Sequence, residues 1–120
     1  MKIHEVIITT CDMDDNHHVA PMGINIIDNE VIIKPFKPSK TLENLRETKS
    51  AIVNFIDDVR VFAGIVTGIK REWDLEKVIG NKVMRLKEAN SHSYCSAIIV
   101  KFIFIFLDSI TFYTYLYFNF

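Results

Sequence analysis

Lysine and hydroxyl side chains cluster between two apolar segments in the first half of the sequence. Lys37, Ser39, Lys40 and Thr41 lie at the start of a helical pattern that runs from Thr41 to Lys49. A helix N-terminus carries partial positive charge from its unpaired N–H groups, so cations there disfavour the helix unless an anion is bound. Lysines, hydroxyls and free amides at such a position are the donors that a phosphate dianion requires. The pattern favours a phosphate site; the alternative is a solvated basic loop in which Ser39 or Thr41 only caps the helix.

Other reactive residue types carry weaker predictions. The spacing of Cys11 and the histidines matches no tight metal-ligand pair, and His17 and His18 would point to opposite faces of a strand. Asp57 and Asp58 are adjacent and are interpreted as a turn. No acid, base or nucleophile of the protein stands out. We therefore expect a bound cofactor to carry any chemistry.

Phe36 and Asn54 are two further candidates for contact with a ligand. Phe36 lies inside the basic loop, where it either anchors the loop on the core or packs against a ligand ring. Asn54 interrupts an otherwise apolar strand pattern at residues 51–56. Because a buried amide must find hydrogen-bond partners, Asn54 either caps neighbouring backbone groups or reaches the edge of a ligand ring.

Length and composition predict one globular domain. The chain has 120 residues, of which 49% are hydrophobic and 24% are charged. Its formal net charge of −1 argues against broad nucleic-acid binding, since no basic excess is present to release counterions. The first ten residues lack the apolar core of a secretory signal, and Cys11 and Cys95 form no disulfide framework. These features predict a cytoplasmic protein.

Most of the chain has strand character, with one embedded helix. Proline and glycine at Ala20-Pro21-Met22-Gly23 predict a bulge or an edge position within the second strand. Successive short strands with a single helix favour a small barrel. The predicted strands cover residues 2–10, 17–27, 31–34, 51–56, 59–67 and 94–101, the main helix covers 41–49, and one or two short helices are predicted within 70–90.

The last twenty residues form a separate aromatic-rich tail after a domain spanning residues 1–100. Residues 102–120 hold nine of the fourteen aromatic residues and one charge, Asp108. Aromatic and β-branched content favours a strand or a dimer-interface segment. A membrane span is the alternative, but Asp108 at its centre would cost about 2.5–3.5 kcal/mol. A lineage-specific ending or a shifted reading frame would also account for such a tail.

Four segments together resemble the FMN-binding split barrels. They are Thr9-Thr10, Ala20-Pro21-Met22-Gly23, the stretch from Pro35 to Leu45, and Ala51-Ile52-Val53-Asn54. The sequence is most similar to an uncharacterised, largely archaeal branch, and also resembles flavin-reductase-like proteins. Thr41 and Asn44 match the Thr and Asn of the family's helix-opening motif, whereas Lys40 stands where the reductases have Asp. The resemblance covers residues 3–66 well, is thin over 86–100, and ends at Val100.

The resemblance implies a mainly β protein, a six-stranded antiparallel split barrel, that forms a homodimer with FMN at the subunit interface. It also implies an FMN-dependent oxidoreductase or flavin reductase, with NADH or NADPH as a possible reductant. The alternatives are a flavin-binding or storage module without turnover and a membrane-tethered interaction protein. The implied site residues are Lys37, Ser39, Lys40 and Thr41 at the phosphate, Asn44 at the loop or ribityl chain, and Thr10, Ala20, Pro21, Met22 and Gly23 along the flavin ring.

Overall fold

The computed structural model describes residues 3–27, 30–33, 35, 39–69, 72–102 and 110–119. Six strands form a closed barrel in the order β1-β2-β3-β8-β7-β4, and β5 and β6 form a separate two-stranded sheet. All the strand pairs are antiparallel. The elements are β1 (Ile3–Cys11), β2 (His17–Ile27), β3 (Glu30–Ile33), α1 (Lys40–Thr48), β4 (Ser50–Phe55), α2 (Val59–Thr67), β5 (Leu75–Glu76), β6 (Arg85–Leu86), β7 (Ser91–Phe102) and β8 (Ile110–Asn119).

The mainly β, six-stranded antiparallel barrel predicted from the sequence is confirmed. Its first hairpin is set by the turn after β1, where the Asp12 carboxylate accepts backbone N–H bonds from Asp14 and Asn16, each at 2.9 Å. An aspartate that bonds its own following backbone stabilises such a turn. The register between β1 and β2 is consequently continuous from Ile3 opposite Asn25 to Cys11 opposite His17.

The second strand contains no bulge, contrary to one of the two predictions for Ala20–Gly23. Residues 20–23 pair with β1 without a register shift. Among the described strands, β3 pairs with β2 only over Ile24–Ile27. Residues 20–23 therefore have a second edge that β3 does not cover, and proline is tolerated at such an edge. Within the described residues, this one-sided pairing agrees with the edge interpretation.

The segment Val59–Thr67 is a helix, and the predicted strand there was wrong. Asp58 caps α2 by accepting the Arg60 N–H at 2.9 Å, and Gly68 ends it with a left-handed φ of 70°. An Asx cap followed ten residues later by glycine is a helix signature that outweighs β-branched composition. Val61 is buried in a cluster with Ile7 on the outside of the barrel. Packing of one helix face against that wall decides the conformation.

The described residues between 72 and 90 contain no helix, so the short helices predicted there were wrong. Instead, Leu75 pairs with Leu86 across the two-stranded β5–β6 hairpin. Both leucines join the apolar cluster on the outer face of the barrel, and Leu86 is fully buried. The apolar residues of this segment are thus explained by a hairpin that lies flat on the barrel rather than by a helical face.

Two apolar clusters lie on opposite faces of the barrel wall. Leu42 and Leu45 of α1 pack into the inner cluster, whereas α2 and the β5–β6 hairpin pack against the outer one. Successive residues of a strand alternate between these faces. The inner cluster contains Val6, Ile8, Ile24, Val31, Ile33, Leu42, Leu45, Ala51, Val53 and Cys95, and the outer cluster contains Ile7, Ile56, Val61, Leu86 and Ala89.

The aromatic tail contributes a strand to the barrel. β8 pairs with β7 along its length and with β3 at Glu30 and Val31, which closes the barrel. Residues 103–109 of the predicted tail, and residue 120, lie outside the described residues. In the described part of the chain, neither helix has the length and apolarity needed to cross a membrane.

Acid is expected to destabilise the fold through two exposed carboxylates. Backbone N–H donation from Asn16 lowers the pKa of Asp12, and the side chain of Arg60 lowers the pKa of Asp58. Because each pKa is lower in the folded state, the stabilisation is present above the unfolded pKa and is lost as pH falls below about 4. An Asp12→Asn, Asp58→Asn double variant should show a flatter decline of unfolding free energy in urea titrations between neutral and acid pH. An unchanged slope would contradict this assignment.

Candidate functional site

The helix α1 begins at a serine cap. Ser39 accepts the Leu42 N–H through Oγ and the Glu43 N–H through its carbonyl, both at 3.1 Å. The N–H groups of Lys40 and Thr41 occupy first-turn positions that have no partner within a helix. Thr41 is buried, whereas the ammonium of Lys40 is exposed and lies 3.7 Å from the Glu43 carboxylate. An exposed pair of this length contributes little to stability, so Lys40 remains available to an anion.

Asn44 is a fully buried amide one turn into the same helix. Its Nδ2 donates to Thr10 Oγ1 at 3.1 Å, across the inner face of β1. Its Oδ1 has no partner among the described residues. The Thr10 hydroxyl can donate or accept, so either orientation of the amide leaves one Asn44 atom unbonded. A buried polar atom of this kind requires a ligand or water.

His18 belongs to this site, although sequence reasoning considered it only as a metal ligand. It lies directly opposite Thr10 in the β1–β2 register. Burial, followed by the positive charge of Lys40, lowers the pKa of the His18 imidazole. Counting outward from the turn that follows Cys11 would have paired these two residues. The signal was therefore present in the sequence but required the hairpin register.

The four residues Ala20–Gly23 divide between the two faces of β2. Met22 packs against the inner cluster and Val19 against the outer one. By alternation, Ala20 lies on the inner face, and Pro21 and Gly23 lie on the outer face. A Cβ at Gly23 would approach Ile3 Cγ2 to 2.8 Å, so part of the need for glycine arises from packing within the hairpin. The side chains of these four residues therefore do not form one surface. What the four residues share is the strand edge formed by their backbone groups.

Asn54 is on the outer face and is fully engaged with the backbone. Its Nδ2 donates to Ile7 O at 2.9 Å, and its Oδ1 accepts the Leu86 N–H at 2.7 Å. The Thr9 hydroxyl, which lies beside it, donates to Met84 O at 2.7 Å. Asn54 and Thr9 thus attach the β5–β6 hairpin to the barrel, which is the backbone-capping alternative considered for Asn54. Phe36 and Lys37, the remaining candidates, lie outside the described residues.

His17 also has a structural role. Its Nε2 accepts the Met84 N–H at 3.0 Å, which leaves Nδ1 to donate to Asp15 O at 3.1 Å. A neutral tautomer with both nitrogens bonded to backbone groups is not arranged as a metal ligand. Among the described residues, no group of three or more His, Cys, Asp or Glu side chains could hold a metal ion.

A cavity of about 320 Å³ opens beside His18, between the start of β2 and the end of α2. Its volume is within the range of small-molecule sites. Aromatic and apolar side chains form much of the wall, and the two histidines supply the polar groups. The lining residues are His17, His18, Val19, Ile65, Gly68, Trp73 and Leu75. Four of these residues, Val19, Ile65, Trp73 and Leu75, also pack against the outer cluster.

The proximity of Lys40 and His18 predicts a measurable titration shift. Replacing Lys40 with methionine removes the cation that helps to lower the pKa of His18, so this pKa should rise. Histidine NMR titrations of the wild type and Lys40→Met would measure the change, with Lys87→Met as the control. An equal pKa in all three proteins would contradict the proximity of the two groups.

Residues 4–116 match the family model described as the protein of unknown function (DUF447) N-terminal domain. The chain belongs to the DUF447 family. The match extends past Val100, where the resemblance recognised in the sequence ended, and includes most of β8. No curated protein matches the sequence.

The DUF447 chain has the fold of flavin-reductase-like split barrels. It is similar to an FMN-bound DUF447 protein from Methanosarcina mazei, with a TM-score of 0.75 and 23% identity over 98% of this chain and 62% of that one. A flavin-reductase candidate with a split barrel domain from Shewanella frigidimarina has a TM-score of 0.81 and 11% identity over 94% and 64%. The 2-nitrobenzoate 2-nitroreductase of Pseudomonas fluorescens has a TM-score of 0.76 and 20% identity over 96% and 64%. The chain spans less than two thirds of each of these structures.

Proposed function

We propose that this DUF447 domain binds FMN at the N-terminal end of α1 and acts in flavin-dependent oxidoreduction. The observation that carries the proposal is the buried amide of Asn44, which Thr10 orients and which keeps one polar atom without a partner among the described residues. The family's FMN-bound member from Methanosarcina mazei supports the choice of ligand. A helix N-terminus with an adjacent lysine supplies the complementary site for the phosphate.

Each polar group of the proposed site is assigned to one part of the FMN molecule. The first-turn N–H groups of Lys40 and Thr41, with their side chains and Lys37, would hold the phosphate, and Ser39 would shape the helix start. A free Oδ1 on Asn44 accepts but cannot donate, so it suits a ribityl hydroxyl rather than a phosphate oxygen. The uncovered edge of residues 20–23 would offer backbone groups to the polar rim of the flavin ring.

When bound, FMN would supply the electron transfer, because the isoalloxazine ring itself carries this chemistry. The protein's part is to position the cofactor and to set the charge around it. In the described site, the Glu43 carboxylate lies 3.7 Å from the Lys40 ammonium. The groups there that can respond to an anion are the imidazole of His18 and the ammonium of Lys40. Both groups favour an anionic ligand: the ammonium by its charge, and the imidazole because a nearby dianion would raise its pKa.

The phosphate assignment is tested by comparing FMN with riboflavin, which lacks the phosphate. In the wild type, FMN should bind more tightly than riboflavin by about tenfold or more, as expected for charge-assisted hydrogen bonds. A Lys40→Ala, Thr41→Val double variant should lose this preference and bind the two flavins alike. Flavin fluorescence quenching measures both affinities, and Lys87→Ala is the matched control. An unchanged preference in the double variant would refute the site.

A flavin-binding module without turnover is the alternative function. It is favoured by the chemistry of the buried polar pair of the site, since the Thr10 hydroxyl and the Asn44 amide do not exchange charge near neutral pH. The two functions are separated by mixing the FMN-loaded protein anaerobically with NADH or NADPH and following flavin absorbance. Bleaching by either nucleotide supports an oxidoreductase that uses it; no bleaching by either supports binding alone.

We also propose that the protein is a homodimer, as the family resemblance implies, with α2 in the interface. Val59 and Val66 lie on one stripe of the helix, Ile69 follows its C-terminal cap, and the three are 76%, 72% and 87% exposed. A contiguous apolar stripe of this kind on a surface helix is typical of an interaction site. Light scattering should give a dimer for the wild type and a monomer for Val66→Glu. A dimeric Val66→Glu protein would place the interface elsewhere.

We propose a cytoplasmic location from the state of the two cysteines. Cys11 and Cys95 are buried in different apolar clusters and form no disulfide. Burial raises the pKa of the Cys11 thiol, which keeps it protonated and unreactive. Buried cysteines that form no disulfide are compatible with a reducing compartment.

A further inference from the structure

A second polar cavity lies between the β5–β6 hairpin and β7, on the face of the barrel wall opposite the α1 site. Its volume is about 370 Å³. His92 of β7 is directly opposite Asn54 in the β4–β7 register, and cross-strand partners share a face. Since Asn54 bonds the hairpin, His92 also faces outward. The cavity is lined by Glu76, Lys77, Val78, Ile79, Arg85 and His92.

Two buried polar groups in this cavity have hydrogen-bonding capacity that the described residues do not use. His92 is only 8% exposed, and neither Nδ1 nor Nε2 has a partner among those residues. Arg85 donates from Nη2 to Ala89 O at 2.6 Å, which holds its guanidinium, yet its buried Nε is unpartnered. Unsatisfied buried donors are costly, and two of them lining one cavity indicate a ligand that accepts hydrogen bonds.

The charges around the cavity select a monoanion. Lys77 and Arg85 are opposed by Glu76, so the lining carries one net positive charge when His92 is neutral. Burial, followed by the charge of Arg85, lowers the pKa of His92, while Glu76 acts in the opposite direction. A neutral imidazole and the guanidinium Nε each offer one N–H, which matches the two oxygens of a carboxylate. A dianion would encounter Glu76 without a second compensating charge.

The rest of the lining is apolar. Val78 and Ile79 complete the wall, and Ile79 is fully exposed. An exposed isoleucine beside a polar cavity gains from contact with an apolar ligand surface. We propose that this cavity binds a small organic monocarboxylate with an apolar body, whose oxygens accept hydrogen bonds from Arg85 Nε–H and a ring N–H of His92. The proposal does not depend on FMN binding, since the cavity is on the other face of the wall.

Benzoate is a suitable probe, because it combines one carboxylate with an apolar ring. Histidine NMR of the wild-type protein should show a saturable change in the His92 ring signals and a rise in its pKa, since a bound anion favours the imidazolium. Isothermal calorimetry should show binding weakened about tenfold or more in Arg85→Gln and in His92→Phe. His92→Phe keeps a ring in place and preserves the Arg85–Ala89 bond, so it tests the contact even if Arg85→Gln fails to fold.

Lys87→Gln is the matched control and should bind benzoate as the wild type does. The Lys40→Ala, Thr41→Val variant should also retain benzoate binding, which separates this proposal from the flavin site. Three results would overturn it: no saturation of the His92 signals, unchanged affinity in His92→Phe, or tighter binding of inorganic phosphate than of benzoate.

Discussion

Replacing Asn54 with leucine lowers the free energy of unfolding by about 2–5 kcal/mol. Leucine has nearly the same shape but leaves the Leu86 N–H and the Ile7 carbonyl without the partners that Asn54 provides at 2.7 and 2.9 Å. Both groups are buried, so each loss carries a desolvation penalty. Urea denaturation followed by circular dichroism measures the change.

The matched control is Asn90→Leu, since Asn90 also bonds a backbone N–H, that of Asp57 at 3.1 Å, but is exposed. Water can replace that bond, so the control should change stability by no more than about 1 kcal/mol. If the two variants are equally stable, the Asn54 amide does not hold the hairpin on the barrel. Loss of the hairpin alone would appear as a reduced denaturant slope, because less surface would then be exposed on unfolding.

Leu45→Ala is expected to cost about 2–5 kcal/mol and to weaken FMN binding as well. Leu45 is 1% exposed and packs α1 against the inner cluster of the barrel. A cavity at this position loosens the helix that carries Thr41 and Asn44, so the site loses its alignment with Thr10. Urea denaturation and flavin fluorescence quenching measure the two effects on the same protein.

Ile79→Ala removes a comparable apolar group from a fully exposed position and serves as the stability control. It should change the unfolding free energy by less than about 0.5 kcal/mol and leave FMN affinity unchanged. A Leu45→Ala protein that is destabilised yet binds FMN normally would show that the site does not require tight packing of α1 against the inner cluster. That result would be inconsistent with the position of the flavin proposed above.

Two buried asparagines show that burial alone does not determine the role of a side-chain amide. Asn44 and Asn54 are both fully buried amides in apolar surroundings. Asn54 has both its oxygen and its nitrogen bonded to backbone groups, whereas the oxygen of Asn44 has no partner among the described residues. Sequence periodicity places an amide in the core but cannot tell whether a second segment, here Leu86 more than thirty residues away, arrives to bond it.

Local chemistry in the sequence was sufficient for several features. The Asp12–Asn16 turn, the serine cap of α1 and the strands on either side follow from side chains that bond their own neighbouring backbone or alternate in polarity. Such interactions span a few residues and require no knowledge of the fold. The basic cluster before α1 and the family resemblance likewise identified the candidate flavin site without coordinates.

The conformation of the apolar segments after β4 depends on long-range packing and could not be derived from local sequence. Val59–Thr67 has strand-like composition but forms a helix, and residues 72–90 have a helix-like pattern but contain a hairpin, because both pack against the same outer wall of the barrel. Local patterns and the family resemblance were enough to indicate a small barrel and a candidate anion site at the start of α1. The cavity around His92 and Arg85 could not be anticipated in this way, because the register of β7 against β4 and the position of the β5–β6 hairpin bring together residues that are distant in the sequence.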